Sequence, residues 1–419
     1  MSKALLNNHV NYQFHSSKYY MYLFLVWPFL AFLSALFNFE DKNARRTTYL
    51  FLIYHGLTLY IATEGIDAAA YAIHLRKNSL LPFSDFFKIV GGLYASDTSV
   101  DIIEPFLSFV VSRFTSDYNV LFAVFATIFG FFYLKSISLL YDRYKSNQQW
   151  DALIHMLFFA FIIPITYING FRMWTAAWIF FYGAYHVILY RDGRYLLVAL
   201  SSSLVHWSFI SANLILVIYF FAGNRNAVFL PIAMLSFVLP KLLSSTFQRI
   251  SLSMGGALQS RYESYSSESY VLFRQEDVAQ ASWFLRIGND LVFYYLLLAI
   301  IVVQLKLRNC IRDKADKNLF SFLLLFLAFV NFGKEIPSFG SRFQIVFFLF
   351  ATLYIFRYFV KQQEKGVNIV TWIGLFPMLL YTAVALRQGS ETINAWILSP
   401  VVGLPLLVPG MTLYQLLFG

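Results

Sequence analysis

Apolar residues run through this chain in blocks long enough to cross a lipid bilayer, with polar residues confined to the breaks between them. A helical span needs about 20 apolar residues. Runs near that length fall at residues 19–37, 48–63, 118–140, 152–169, 172–190, 227–244, 287–306, 319–333, 343–360 and 367–386. The shorter ones require tilt or local thinning of the bilayer. The run 19–37 is too long for a signal-peptide core and has no small-residue cleavage site behind it, so it is expected to stay as one helix. Residues 395–418 carry Pro400, Pro405 and Pro409 and read either as a kinked span or as a re-entrant segment. The pattern predicts an all-α polytopic membrane protein, one embedded domain over 1–419, with about 11–14 transmembrane helices.

The breaks orient the spans. Lys and Arg concentrate in 38–47 (Lys42, Arg45, Arg46), 141–150 (Arg143, Lys145), around Arg191 and Arg194, in 306–317 (Lys306, Arg308, Arg312, Lys314, Lys317) and at Lys361 and Lys365. The positive-inside bias assigns these to the cytoplasm. The N-terminus then lies outside, as do two long loops. One is 64–117, with short amphipathic helices; the other is 245–286, a large extracytoplasmic loop rich in Tyr and Ser. Parity requires an even number of crossings between Arg194 and Lys306. The stretch 195–222 satisfies it by breaking near His206–Ser208 and turning back. Broken backbone at membrane depth is tolerated only beside protein or a water-filled cavity, so a cavity is expected near His206.

Composition narrows the class. The 419 residues are 59% hydrophobic, 20% aromatic and 13% charged, and mean hydropathy is +0.60. That excludes a soluble domain, whose surface needs far more charge. The net charge of +10 sits in short loops between spans, which argues against nucleic acid as a partner. The single cysteine, Cys310, excludes a disulfide framework and a cysteine zinc site. No phosphate-binding glycine motif, HExxH or GxSxG is present, and no inverted repeat marks a secondary transporter.

Ionisable residues at membrane depth are costly, which makes them candidates for function. In GIDAAAYAIH, helical spacing places Asp67, Tyr71 and His74 on one face. VDIIEPF adds Glu104 on the same outer loop. Each carboxylate has the competing reading of an ordinary solvated charge. NGFRMW opens a helix with Arg172, whose rigid fork suits phosphate oxygens; a snorkelling residue at a helix end is the alternative. SSSLVHWSFIS holds His206, otherwise a satisfied core histidine. NFGKEIPSFGSRF brings Lys334, Glu335 and Arg342 to a short outer turn, with Arg342 starting a helix whose dipole assists anion binding. Arg261, Arg274 and Arg286 are further cations in 245–286, Tyr262, Tyr265 and Tyr270 there offer faces to sugars, and Tyr71 is a further saccharide-binding candidate. Several arginines on one side of the membrane suit a substrate bearing phosphates. With no nucleotide motif, the energy source belongs to the substrate, and a lipid diphosphate-sugar fits. Arginine would stabilise the leaving diphosphate without metal or cofactor. Arg172 and Arg342 would clamp it, with Lys334 and Arg286 in support. One of Asp67, Glu104 and His206 would deprotonate a sugar hydroxyl, the carboxylates preferred because they are ionised without tuning.

The order GIDAAAY, EPFLSFVVSRF, FRMWTAAWIFF, LVHWSFISANLIL and FGSRFQIVFFLF resembles the EpsG-like and Wzy-type bacterial polysaccharide polymerases over roughly 45–360. Gly65, Asp67 and Tyr71 match the family pattern, while its preceding Arg is replaced by Ala62-Thr63-Glu64. Glu104, Arg172, His206 and Arg342 match its recurring Glu, Arg, His and Arg. The resemblance implies a GT-C-like architecture in the bacterial cytoplasmic (inner) membrane. It implies metal-independent, inverting polymerisation of undecaprenyl diphosphate-linked oligosaccharide repeat units into O-antigen or exopolysaccharide at the outer face. A chain-length regulator and a flippase would be further partners. Two rivals remain. One is a GT-C-type transferase adding a single sugar from a polyprenyl phosphate, with Asp101 and Glu104 as the nearest acidic pair. The other is a transporter or flippase of lipid-linked saccharide.

Overall fold

The computed structural model describes residues 19–61, 67–85, 101–239, 283–307, 313–334, 336, 338–362, 366–401 and 411–418. These are helical, with isolated bridges and no strand among the described residues. In chain order the helices are α1 (Pro28–Phe37), α2 (Lys42–Leu57), α3 (Asp67–Ser79), α4 (Ile103–Ser112), α5 (Tyr118–Tyr144), α6 (Trp150–Ile162) and α7 (Phe171–Tyr190). Then follow α8 (Tyr195–Val205), α9 (Phe209–Ala222), α10 (Asn226–Val238), α11 (Trp283–Leu307), α12 (Lys314–Gly333), α13 (Phe339–Val360), α14 (Ile369–Ser390) and α15 (Leu413–Phe418). Among the described residues six helical stretches are long and apolar enough to span a membrane; one of them, Trp150–Tyr190, holds α6 and α7 joined through a 3₁₀ turn at Ile165–Gly170. This is a multi-pass membrane protein.

Burial separates the centre from the rim. The apolar window of α13 is 94% buried and that of α14 only 39%, so α13 is the central column and α14 faces outward. Stacked and edge-on rings fill the space around α13, with Phe350 meeting Phe180, Phe181, Phe322 and Phe326. Such pairs add about 0.5–1.5 kcal/mol each beyond their buried area.

Polar side chains tie the basic loops together at one end. Arg45 pairs with Asp142 at 2.5 Å. Asn147 Nδ2 donates to the carbonyls of Val360 and Gln362. Asn318 Nδ2 donates to Ile188 O, and Asn224 to Asn318. Arg357, buried on α13, meets Asp316 at 2.7 Å and Asp313 at 3.2 Å, and Lys361 closes on Asp316. The described parts of the Lys/Arg-rich breaks therefore share one end of the bundle, as one side of a membrane requires.

Residues 195–222 form a re-entrant hairpin. In one continuous helix, residues 202 and 213 would lie about 16 Å apart. Instead Asn213 Nδ2 donates to Ser202 Oγ at 3.0 Å and to Ser203 Oγ at 2.9 Å. At the base, Arg191 Nη2 donates to Phe220 O. An 11-residue α8 rises about 16 Å, roughly half the hydrocarbon thickness, so the tip at His206-Trp207-Ser208 stops inside the bundle. Close contact with α7 depends on Gly183, where an added Cβ would stand 2.5 Å from Ala199 N.

Two expectations change, and the open choice for the tail falls to the returning form. The run 19–37 is not one span: the helix stops at Trp27 before Pro28, and Tyr20 clusters with Ala35 and Ala44. A straight helix would hold residues 20 and 35 about 22 Å apart. The fold-back puts Tyr20 at the basic end, opposite to the end expected for the start of the chain. In the tail, Ala395 N and Leu413 N donate to Met411 O and Ile393 O, so 411–413 returns to 393–395 rather than crossing. Arg286 lies on α11 rather than in a loop, and its side chain is outside the described residues. Arg261, Tyr262, Tyr265, Tyr270, Arg274 and most of 245–286 are outside them as well.

Replacing Gly183 by Leu is expected to lever α8 from α7 and cost about 1–3 kcal/mol of stability. Gly366→Ala, with nothing within 4 Å of the added Cβ, is expected to leave stability unchanged. Thermal unfolding of both variants in detergent checks this.

Candidate functional site

At the end away from the basic loops, the hairpin tip meets the segment leading into α4, the start of α7 and the start of α13, and α3 packs beside α4. α3 delivers Asp67, Tyr71 and His74, α4 delivers Glu104, α7 delivers Arg172, the tip delivers His206 and α13 delivers Arg342. α3 and α4 pack on each other and on α5, burying the Tyr71 ring against Phe122 and Phe125. The 3₁₀ turn before α7 aims Arg172 back toward them. Gly340 lets α13 start tight against the preceding turn, since a Cβ there would fall 2.5 Å from Lys334 Cα. Ser338, at φ 64°, takes the left-handed conformation before that helix.

Arg172 is the hub of one cluster. Its Nη1 donates to Asp101 Oδ2 at 3.1 Å, its Nε donates to Tyr71 Oη at 3.1 Å, and Asp67 Oδ1 lies 3.6 Å from Nη2. Two carboxylates and a phenol thus engage its fork. Burial pushes the Tyr71 phenol above its ordinary range, partly offset by Arg172. The hydroxyl stays protonated and keeps its hydrogen for an acceptor. Tyr71 is 1% exposed, so it has no ring face free for a sugar. What the structure shows of Tyr71, expected to bind saccharide, is its hydroxyl held at Arg172.

Asp101 couples this cluster to the hairpin. Its Oδ1 accepts the Trp207 N–H at 2.7 Å, and Ile102 N donates to Leu204 O at 3.0 Å. A chain reversal inside a bundle leaves backbone donors without helical partners, and here a buried carboxylate takes one. Asp101 entered the sequence reading only as half of an acidic pair. Its three-residue offset from Glu104 was the available signal, but nothing local connects it to residue 207.

Glu104 is 1% exposed, and its Oε1 has no hydrogen-bond partner among the described residues. The half-exposed His74 approaches that oxygen to 3.6 Å. His74 therefore faces Glu104, while Asp67 and Tyr71 face Arg172.

On the other side of the tip, His206, Ser208, Ile336, Ser338, Phe339, Arg342 and Phe343 line an open pocket of about 60 Å³. His206 lies within electrostatic reach of Asp101, Arg342, Arg172 and Asp67. Among the described residues no carboxylate forms an ion pair with Arg342. Lys334 does not line the pocket; its ammonium sits 4.1 Å from the centre of the Phe293 ring. Among the described residues no group of three His, Cys, Asp or Glu side chains converges as a metal site. The arrangement thus pairs a neutralised arginine cluster with an unneutralised arginine beside a histidine.

Asp101→Ala is expected to free the Trp207 N–H and raise hydrogen exchange across 203–209. Asp67→Ala, whose contact is longer and half exposed, is expected to leave that segment protected. Exchange followed by mass spectrometry checks both.

Comparison with known proteins places the chain. No curated protein and no solved structure matches it. The family model described as "EpsG family" matches residues 65–396. That match covers every described residue of the two clusters, and the chain belongs to the EpsG family.

Proposed function

We propose that this protein polymerises polyprenyl diphosphate-linked oligosaccharide repeat units at the outer face of a bacterial cytoplasmic membrane. EpsG membership suggests a polysaccharide polymerase-like role. The observation that carries the finer reading is the pocket in which Arg342 and His206 stand together, at the end of the bundle away from the basic loops. An arginine with no carboxylate partner among the described residues keeps its donors for an anionic ligand. The N-termini of α9 and α13 both open at this pocket and add positive field. The N–H groups of Phe209, Ile210 and Ser211 are already paired with His206 O, Trp207 O and Ser208 O, and those of Phe339 and Gly340 with Ile336 O, so side chains supply the direct donors in this reading.

In this reading Arg342 holds the diphosphate of the donor. A carboxylate takes the proton of an acceptor hydroxyl, whose oxygen attacks the anomeric carbon from the face opposite the diphosphate. The new C–O bond forms as the old one breaks, and the polyprenyl diphosphate leaves with the electron pair, its charge stabilised by arginine. Glu104 is preferred over Asp67 as base because Asp67 is drawn to the permanently charged Arg172, whereas Glu104 Oε1 has no hydrogen-bond partner among the described residues and only the titratable His74 nearby. His74 gives the abstracted proton a half-exposed neighbour on the way to solvent. Arg172 contributes by holding Asp101 and Tyr71. Its earlier assignment as a second diphosphate clamp is weaker, because its fork is already occupied.

Purified protein in nanodiscs with a lipid diphosphate-linked repeat unit is expected to give a ladder of products in EDTA. Arg342→Ala and Glu104→Gln are each expected to cut chain extension about 100-fold or more at unchanged protein level. A single sugar added from a polyprenyl phosphate, and only with metal present, would establish the single-sugar transferase instead.

A further inference from the structure

The hairpin tip determines which nitrogen of His206 carries its proton. The backbone N–H of Ser208 points at His206 Nδ1 at 3.2 Å, and Ser208 Oγ lies 2.8 Å from the same nitrogen. A backbone N–H can only donate, so Nδ1 must present its lone pair. In a neutral imidazole the hydrogen is then on Nε2. A doubly protonated ring would set Nδ1–H against Ser208 N–H and add a cation to a pocket already lined by Arg342.

The backbone that carries the ring is fixed on both sides. His206 N donates to Ser202 O at 2.9 Å and Phe209 N donates to His206 O at 3.0 Å. Between them, Trp207 N–H is fixed on Asp101, and Asp101 on Arg172. Turning the ring over would replace Nδ1 by a C–H and leave the Ser208 N–H without its acceptor, at a cost of about 1–3 kcal/mol.

We propose that His206 serves this pocket as a hydrogen-bond donor through Nε2–H, directed at an oxygen of the anionic substrate, and does not act as the base. This rests on reading the pocket as the site of the diphosphate. Arg342 and Nε2–H then form a two-point donor set. The proton of the acceptor sugar goes to a carboxylate, since the one lone pair of the His206 ring is committed to Ser208.

The test uses the full-length protein. In His206→Gln the side-chain amide supplies an N–H close to the place of Nε2 and cannot take a proton; in His206→Ala neither function remains. The proposal expects His206→Gln to keep chain extension within about tenfold of the parent and His206→Ala to lose about 100-fold, the usual cost of one oxyanion donor. Equal loss in the two variants, at equal protein level and thermal stability, would overturn it in favour of a base. A second measurement does not depend on turnover. The protein holds 7 histidines, so nitrogen-15 NMR of histidine-labelled protein identifies His206 as the signal missing from His206→Gln. Nε2-protonated, Nδ1-bare imidazole supports the proposal, and a proton on Nδ1 refutes it whatever the substrate proves to be. A parent protein that extends no lipid diphosphate-linked chain, yet shows the Nε2–H tautomer, would sink the polymerase reading while leaving the donor assignment standing.

Discussion

A chain reversal buried inside a helical bundle must find partners for its freed backbone donors, and in this protein that constraint organises the site. The reversal at 206–208 interrupts the helical ladder between α8 and α9. Trp207 N–H finds the carboxylate of Asp101, and Ser208 N–H finds the ring of its own neighbour, His206. Both partners are chemically active groups. Each therefore has its orientation set by the backbone it satisfies. An unsatisfied group in hydrocarbon costs several kcal/mol, so these contacts are strongly held.

Charge is distributed along the same logic. A buried carboxylate such as Asp101 needs a cation, and Arg172 supplies it. That leaves Arg172 largely neutralised, with Tyr71 and Asp67 completing its shell. Arg342, at the start of the central helix α13, has no such carboxylate among the described residues. Two arginines that look alike in sequence therefore have different electrostatic positions, one inside a compensated network and one facing a pocket. The far end of the bundle resolves its charges differently again. There Arg357 is closed within Asp313, Asp316 and Lys361, a cross-tie between α12 and α13 with no open face among the described residues.

Helix α7 connects these features. Its first turn carries Arg172, its middle carries Gly183, and its last turn receives Asn318. The missing Cβ at Gly183 lets α8 approach to backbone distance. That closeness brings the hairpin tip to the level of Arg172 rather than leaving it out toward lipid. Packing at one glycine and electrostatics eleven residues earlier on the same helix thus position the same tip.

Much of this was legible in the chain itself. Hydrophobic runs announced a multi-pass helical protein, because a bilayer imposes span length directly on local composition. The Lys/Arg breaks gathered at one end, and parity called for a reversal within 195–222, which the sequence reading put near His206–Ser208. Asp67, Glu104, Arg172, His206 and Arg342 were identifiable as ionisable residues that membrane depth makes costly. The fold-back at Trp27–Pro28 was not legible, since an apolar run reads the same whether it crosses or returns. Nor was the division of labour among the candidates. Asp101 meets residue 207 across more than a hundred positions, and Tyr71 is sealed by aromatic rings from α5. Membrane thickness and charge bias act on neighbours in sequence, so the chain by itself determined the spans, their ends and the pool of reactive residues. Ion pairing and ring burial act between elements distant in sequence, so only the tertiary structure decided which arginine is compensated, which faces the pocket, and which nitrogen of His206 is left to donate.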